Sequence, residues 1–280
     1  MHLVIQGTDI ETRDLKALAK LSGASAIDRL AGTAFRLCNA QPAAGIVELC
    51  ADAKLDHGFV PEARRLGDFK LLVMDMDSTL ITMETIDELA DMVRLKAEVA
   101  AITAQAMRGE IEYDESLRRR LALLKGLDAS ALQRVYDERL RFSPGAERML
   151  ERVRAAGIRT LLVSGGFTWI TDRLKTRVRL DYTHSNVLEI VNGKLTGAVI
   201  GAIVNADAKR AALLRVAAEL GIAREQIAGV GDGANDLKFM AECGVSIAYR
   251  AKPVVREHTT YALNHSGLDG LLWLLSAESD

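Results

Sequence analysis

Cysteine is scarce in this chain of 280 residues. Cys38, Cys50 and Cys243 stand far apart and form no CxxC pair. That spacing excludes a disulfide frame and a zinc ribbon, and reads as buried thiols in a reducing compartment. A run of about 18 apolar residues is also missing, so no membrane span is expected. The opening Met1-His2-Leu3-Val4-Ile5-Gln6-Gly7 has no basic stretch before its short apolar run, unlike a signal peptide. The expected location is the cytoplasm. Charge of one sign is lacking too: 36 basic and 38 acidic residues leave a net charge of -2. Such a balance gives no global pull towards nucleic acid or an anionic membrane, and neither is expected as a partner. The phosphate-loop pattern GxxxxGK[ST] does not occur, which disfavours nucleotide binding of that type.

What is present is an ordinary globular composition, 49% hydrophobic and 26% charged. The length calls for one large domain or two modest ones. Residues 1–68 read as a small α/β domain. Strands are expected at Leu3–Gln6, Thr33–Cys38 and near Phe59–Val60. Asp14 is expected to cap a helix with Leu15, Leu18 and Ala19 on one face. A second helix from about Ala43 would place Ile46, Val47 and Cys50 on one side. No catalytic constellation appears there. A docking or oligomerisation module is favoured over a small-molecule regulatory domain, and the apolar faces permit a homodimer. Arg64-Arg65-Leu66-Gly67-Asp68 reads as the linker.

Residues 69–280 carry a different rhythm. Leu71–Met74 is an apolar run suited to a buried parallel strand. After Thr79 the pattern turns helical, with Ile86, Leu89, Ala90 and Val93 at i, i+3, i+4 and i+7. Helical signals continue through Leu117, Leu121, Leu124, Leu132 and Val135 to the break at Ser143-Pro144-Gly145. Roughly 60 mostly helical residues are too many for a plain crossover, so an inserted helical cap is expected over about 85–145. Strands then alternate with helices: Thr160–Val163, a hairpin turning at Asn192-Gly193, a helix opening at Lys209, Ile227–Val230 and Val245–Ala248. Alternation of this kind implies an α/β fold, a Rossmann-like parallel sheet with both faces covered.

Val73-Met-Asp75-Met-Asp77-Ser-Thr79 places two acids at the C-terminal end of the first long strand, where open α/β sheets bind ligands. Residues i and i+2 of a strand share a face, so both carboxylates are expected in one crevice. Two acids that close call for a cation or for one shared proton. Three later features fall at comparable places: Ser164-Gly165-Gly166, Lys209 near a helix start, and Asp232-Gly233-Ala234-Asn235-Asp236. All suit phosphoryl transfer. Backbone N–H groups and a hydroxyl bind phosphate oxygens, a lysine offsets their charge, and carboxylates from two loops hold a hard cation.

This ordered set resembles the haloacid dehalogenase superfamily of phosphohydrolases. Glu84-Thr85-Ile86-Asp87-Glu88, Ala106-Met107-Arg108-Gly109-Glu110, Ser116-Leu117-Arg118-Arg119-Arg120 and Val163-Ser164-Gly165-Gly166-Phe167 bring it closer to the members that hydrolyse O-phospho-L-serine. The resemblance runs from about residue 70 to the C-terminal region and covers residues 1–68 far less clearly. It implies that Asp75 is the nucleophile and Asp77 the general acid and base. It implies Mg²⁺ held by the Asp75 side chain, the Asp77 backbone carbonyl and Asp232, with Asp236 binding the ion directly or through one of its ligands. Ser164, Gly165 and Lys209 would hold the phosphoryl group, with Asn235 helping to position it. Glu84 would meet the substrate ammonium and Arg120 its carboxylate. Met107 and Tyr113 would close the pocket, Tyr113 standing where the family pattern leads one to expect Phe. Thr85, Tyr113 and Arg119 depart mildly from the pattern and are assigned no role in the chemistry. The expected reaction is the last step of serine synthesis. A phosphotransferase with an alcohol acceptor such as homoserine is the close rival. A non-catalytic amino-acid sensor is disfavoured because every acid and the lysine are in place.

Overall fold

The computed structural model describes residues 1–277. The first part of the chain runs β1 (His2–Gln6), α1 (Thr12–Ser22), β2 (Ala26–Ala31), β3 (Ala34–Cys38), α2 (Ile46–Asp52) and β4 (Asp56–Val60). These four strands form an antiparallel sheet in the order β2-β3-β1-β4, the split arrangement of a β-α-β-β-α-β unit. Alternation along β1 sorts the side chains. Leu3 and Ile5 pack with Leu37 beneath Leu15, Leu18, Ile46 and Cys50. Val4 turns the other way, with Ala34 and Val60, and joins the main core. Both apolar faces of this sheet are thus covered within the chain.

Three local expectations are corrected here. Asp14 does not cap α1: the helix starts at Thr12, and Asp14 lies in its first turn, where its charge suits the helix dipole. Val47 is 61% exposed, because a residue one step from Ile46 points away from the face Ile46 shares with Cys50. The strand β2 was not anticipated, since an exposed edge strand shows no alternation of buried residues. Of the thiols, Cys50 and Cys243 are buried, and burial pushes both up to about 12. Cys38 is only partly buried and donates to Asp28 Oδ2 at 3.2 Å.

The second sheet follows. After β5 (Leu71–Met74) come four helices, α3 (Thr85–Met92), α4 (Lys96–Met107), α5 (Tyr113–Leu123) and α6 (Ser130–Arg134). Then run α7 (Ala146–Ala155), β6 (Arg159–Phe167), α8 (Thr168–Val178), β7 (Tyr182–Val191), β8 (Lys194–Ile200), α9 (Ala206–Leu220), β9 (Ile227–Gly231), α10 (Leu237–Met240), β10 (Val245–Tyr249), α11 (Pro253–Arg256), β11 (Tyr261–Leu263) and α12 (Leu271–Leu275). The strand order is β11-β10-β9-β5-β6-β7-β8, parallel except for β8. From β5 the chain builds outward through β6 to β8, then returns to place β9 on the other side of β5. The crevice beyond β5 and β9 is therefore the switch point at which such sheets bind ligands. Asn192 and Gly193 both take positive φ, 50° and 75°, as the type I′ turn between β7 and β8 requires. Among the described residues, no helix is long and apolar enough to cross a membrane.

The helical segment α3–α6 buries Ile86, Leu89, Ala90, Val99, Leu117, Leu121, Leu124 and Leu132 in a core continuous with the sheet. The β7–β8 arm holds it from one side: Gly126 N donates to Leu195 O at 2.8 Å, and Leu195 N to Leu127 O at 2.9 Å.

The first sheet is fastened to the end of the second. Asp56 accepts from the backbone N–H groups of Asn264, His265 and Ser266 at 2.7, 3.0 and 2.8 Å. Tyr261 donates its hydroxyl to Phe59 O at 2.8 Å and accepts from Arg64 at 2.9 Å. Gly58 permits the approach, since a Cβ there would lie 2.7 Å from Leu274 and Tyr261. Asp56 is 2% exposed, so its three bonds are made out of water. Asp56→Ala leaves those N–H groups without an acceptor and is expected to cost about 3 kcal/mol. Urea unfolding of the two proteins checks this; an unchanged midpoint would mean that the carboxylate does not fasten the sheets.

Candidate active site

Asp75 ends β5 in extended backbone, φ -75° and ψ 162°, and its N–H donates to Val230 O at 3.1 Å. The next five residues, Met76–Leu80, wind into one wide turn closed by Ile81 N to Met76 O at 3.0 Å. Ser78 sits in the left-handed region at φ 57°, a costly conformation for a non-glycine residue. Asp77 therefore lies on a turn. The expected alternation along a strand does not bring it to the site; the turn does.

Lys209 lies under Asp75. Its helix begins three residues earlier than expected, at Ala206, because the Asn205 side chain caps the N–H groups of Asp207 and Ala208, both at 3.1 Å. Lys209 falls in the first turn, is 1% exposed, and donates to Asp75 Oδ1 at 2.7 Å and Asp236 Oδ1 at 2.8 Å. Asp232, after β9, accepts from the Thr79 hydroxyl at 2.7 Å. Carboxylate oxygens of Asp75, Asp232 and Asp236 all lie within 4.8 Å of one another.

Three carboxylates share one ammonium, and the electrostatics follow. Burial, then the charge of Asp236, raise Asp75 well above the usual carboxylate range, with Lys209 opposing. Burial and Asp236 lift Asp232 to about 7. Burial works against the Lys209 ammonium, but Asp236 and Asp75 outweigh it and hold its pKa above the ordinary value. An all-oxygen set with excess negative charge fits a hard divalent cation.

Asp77 has different surroundings. Its Oδ1 accepts from the Thr85 hydroxyl at 2.7 Å. Its Oδ2 faces Gly166, where a Cβ would lie 3.1 Å away. Burial, then Glu84, raise its pKa well above the usual range, against the pull of Thr85 and Lys209. Its carboxylate is not part of the three-acid cluster; the expectation for a metal concerned its backbone carbonyl. Ser164 is buried and accepts from Gly166 N at 2.8 Å. Asn186 holds the same loop, donating to Gly165 O and accepting from Val204 N, each at 2.8 Å.

The fold thus gathers Asp75, Asp77, Ser164, Gly165, Lys209, Asp232 and Asp236 in one place. Asn235 stands on the Asp232 loop, with its side-chain oxygen turned in against Gly233. Glu84 is exposed and accepts from Ser78 Oγ at 2.7 Å. Arg120 is buried in α5, with its Nε on Ser116 O at 3.4 Å. Tyr113, on the same helix, lies against Gly165. Burial raises its phenol, and the charges of Lys209, Arg120, Asp75 and Asp77 all reach it. Met107 stands out at 62% exposure beside Lys252. Arg119 forms a solvated pair with Glu115 at 2.7 Å.

Two residues with contacts to the site were passed over. Thr85 was assigned no role, yet it is the hydrogen-bond donor to Asp77. Asn186 sits in a strand far from any motif, and nothing in its sequence neighbourhood marks it.

A fold and site of this kind define a hydrolase. The family model described as haloacid dehalogenase-like hydrolase matches residues 72–241, and the chain belongs to that family. A second model, described as a domain of unknown function, matches residues 3–46. The chain is 52% identical over 216 residues to a phosphoserine phosphatase of Polaromonas sp. (strain JS666), covering 75% of this chain and 92% of the relative. Among solved structures it is similar to a probable phosphoserine phosphatase from Vibrio cholerae, with TM-score 0.86 and 33% identity, over 99% of this chain and 86% of that one. A haloacid dehalogenase family hydrolase from Salmonella enterica serovar Typhi aligns with TM-score 0.88 and 35% identity, over 99% and 98% of the two chains.

Lys209→Met leaves Asp75 and Asp236 facing each other in a buried site. A stability loss of about 3–5 kcal/mol is expected, measured by urea unfolding with a chelator present. Asp75 already has a raised folded-state pKa, and losing the ammonium raises it further. A carboxylate raised in this way favours folding at low pH and gives up that stability as pH rises through its folded value. The deficit is expected to be larger at about pH 8 than at about pH 5.

Proposed function

We propose that this protein is a Mg²⁺-dependent phosphomonoesterase that hydrolyses O-phospho-L-serine to L-serine and phosphate. The observation that carries the reading is the pairing of two aspartates in unlike surroundings, Asp75 on Lys209 and Asp77 on Thr85. The names of the relatives supply the substrate class.

Asp75 is the nucleophile. Lys209 occupies its Oδ1 and leaves Oδ2 for phosphorus. A bond forms from that oxygen to phosphorus as the bond to the serine oxygen breaks. Asp77, whose pKa burial and the charge of Glu84 raise, gives a proton to the departing serine oxygen. It then takes a proton from the water that attacks the aspartyl-phosphate, which releases phosphate and restores Asp75. Ser164, Gly165 and Lys209 hold the phosphoryl oxygens, and Asn235 helps to position them. Asp75, Asp232, Asp236 and the Asp77 carbonyl would hold the metal ion, which offsets phosphate charge when bound. Glu84 receives the substrate ammonium and Arg120 its carboxylate. Asp75 is 6% exposed, so the phosphoryl group is transferred largely out of water. The proposed reaction is the last step of serine synthesis, and the proposed location is the cytoplasm.

The direct test is phosphate release from O-phospho-L-serine with and without Mg²⁺, beside p-nitrophenyl phosphate and added homoserine. Fast, metal-dependent release that favours phosphoserine is expected. Release that waits for homoserine and yields its phosphate ester would instead make the protein a phosphotransferase. Asp75→Asn is expected to lower turnover at least about a thousandfold, because an amide is not a competent nucleophile. Substantial residual turnover would refute the covalent route. Arg120→Ala is expected to cut kcat/KM for phosphoserine roughly 10–100-fold and to spare p-nitrophenyl phosphate, which has no carboxylate. Equal losses on both esters would remove Arg120 from that role.

A further inference from the structure

We propose that the Tyr113 hydroxyl is a substrate-binding group, donating a hydrogen bond to an oxygen of the transferring phosphoryl group. This deepens the function proposed above and rests on its placing of the phosphoryl group at Ser164 and Gly165.

The argument begins at Gly165. Its carbonyl is tied down by Asn186, so the backbone there is fixed. A Cβ on Gly165 would collide with the Tyr113 hydroxyl oxygen, and would lie 3.3 Å from the ring carbon bearing it. The phenol of α5 therefore reaches across from the helical segment and ends on the loop that follows the first half of β6. Gly165 is required there by this approach. Among the described residues the hydroxyl has no hydrogen-bond partner, although it ends in a polar site. Tyr113 is only partly buried, and a hydroxyl without a protein partner at the edge of this site has its proton free for a phosphoryl oxygen.

The charges that reach Tyr113 place it further. The charges of Lys209, Arg120, Asp75 and Asp77 all act on it. Lys209 and Asp75 mark the phosphoryl end of the site. Gly165 lies at that same end, and the hydroxyl rests on Gly165. A phenol keeps its proton at neutral pH, so it arrives as a donor. Tyr113 is also the first residue of α5, whose next residue, Asp114, accepts from Asn205 Nδ2 at 3.1 Å. Asn205 is the cap of α9, the helix that carries Lys209. One short connection thus positions both groups that would hold the phosphoryl oxygens, one from each side of the crevice.

Phenylalanine at this position would keep the ring and its packing and lose only the donor. Tyr113→Phe in the full chain with Mg²⁺ is therefore the test. The expected result is a loss of tenfold or more in kcat/KM on both O-phospho-L-serine and p-nitrophenyl phosphate, since both carry the same phosphoryl group. Inhibition by inorganic phosphate is expected to weaken by a similar factor. Equal kinetics in the two proteins would overturn the proposal. So would a loss confined to phosphoserine, which would assign the hydroxyl to the amino-acid end beside Arg120. If the unaltered protein proves inert on phosphoserine, the proposed function fails separately. Calorimetric binding of inorganic phosphate to the two proteins then still reads the hydroxyl: tighter binding by the tyrosine form supports it, and equal binding overturns it.

Discussion

One buried ammonium holds the site together. Lys209 is almost wholly out of water and binds two carboxylates, one from the end of β5 and one from the loop after β9. Taking such charges from solvent is expensive, and only close geometry repays it. The pairing joins three elements that are distant in the chain. It is set by local features at each end: the extended backbone of Asp75 and the Asn205 cap that begins α9. The same helix start turns its partial positive charge towards acids that need it. A cation among Asp75, Asp232 and Asp236 completes this balance, because one lysine cannot offset three carboxylates.

Two aspartates a single residue apart can do different chemistry only if their surroundings differ. The turn through Ser78 provides that difference. It puts a serine in a left-handed conformation and carries Asp77 away from Lys209 towards Thr85 and Gly166. Asp75 keeps an ammonium at hydrogen-bond distance; Asp77 has a hydroxyl and the nearby charge of Glu84. At Asp75 the lysine opposes the rise that burial causes, while at Asp77 the charge of Glu84 adds to it. Strain at Ser78 is offset by its own bond to Glu84 and by closure of the turn at Ile81.

The parallel sheet was legible because Leu71–Met74, Thr160–Val163 and Ile227–Val230 are unbroken apolar runs, which buried strands require. The acids proposed as catalytic and Lys209 were legible because they follow those runs or fall in the first turn of a helix. Edge strand β2 was not, since its outward residues carry no alternation. Nor was the orientation of Val47, which depends on one step of helix rotation. Thr85 was discounted because its partner, Asp77, is reached only through the turn at Ser78, and no residue pattern reports a turn of that shape. Asn186 makes its bonds through tertiary contacts to Gly165 and Val204, which sequence spacing does not record. In each missed case the determining partner is distant in the chain or is fixed by backbone geometry.

The fastening of the first sheet to the last strand has a consequence for how the chain is made. Residues 2–60 leave the ribosome before the second sheet and can close their helices over Leu3, Ile5 and Leu37 at once. The opposite face, with Val4, Ala34 and Val60, packs into a core that includes Tyr261, Leu271 and Leu274. Asp56 waits for N–H groups some two hundred residues later. This sheet therefore stays half-finished, with one apolar face open, until Tyr261 and the segment after it have emerged.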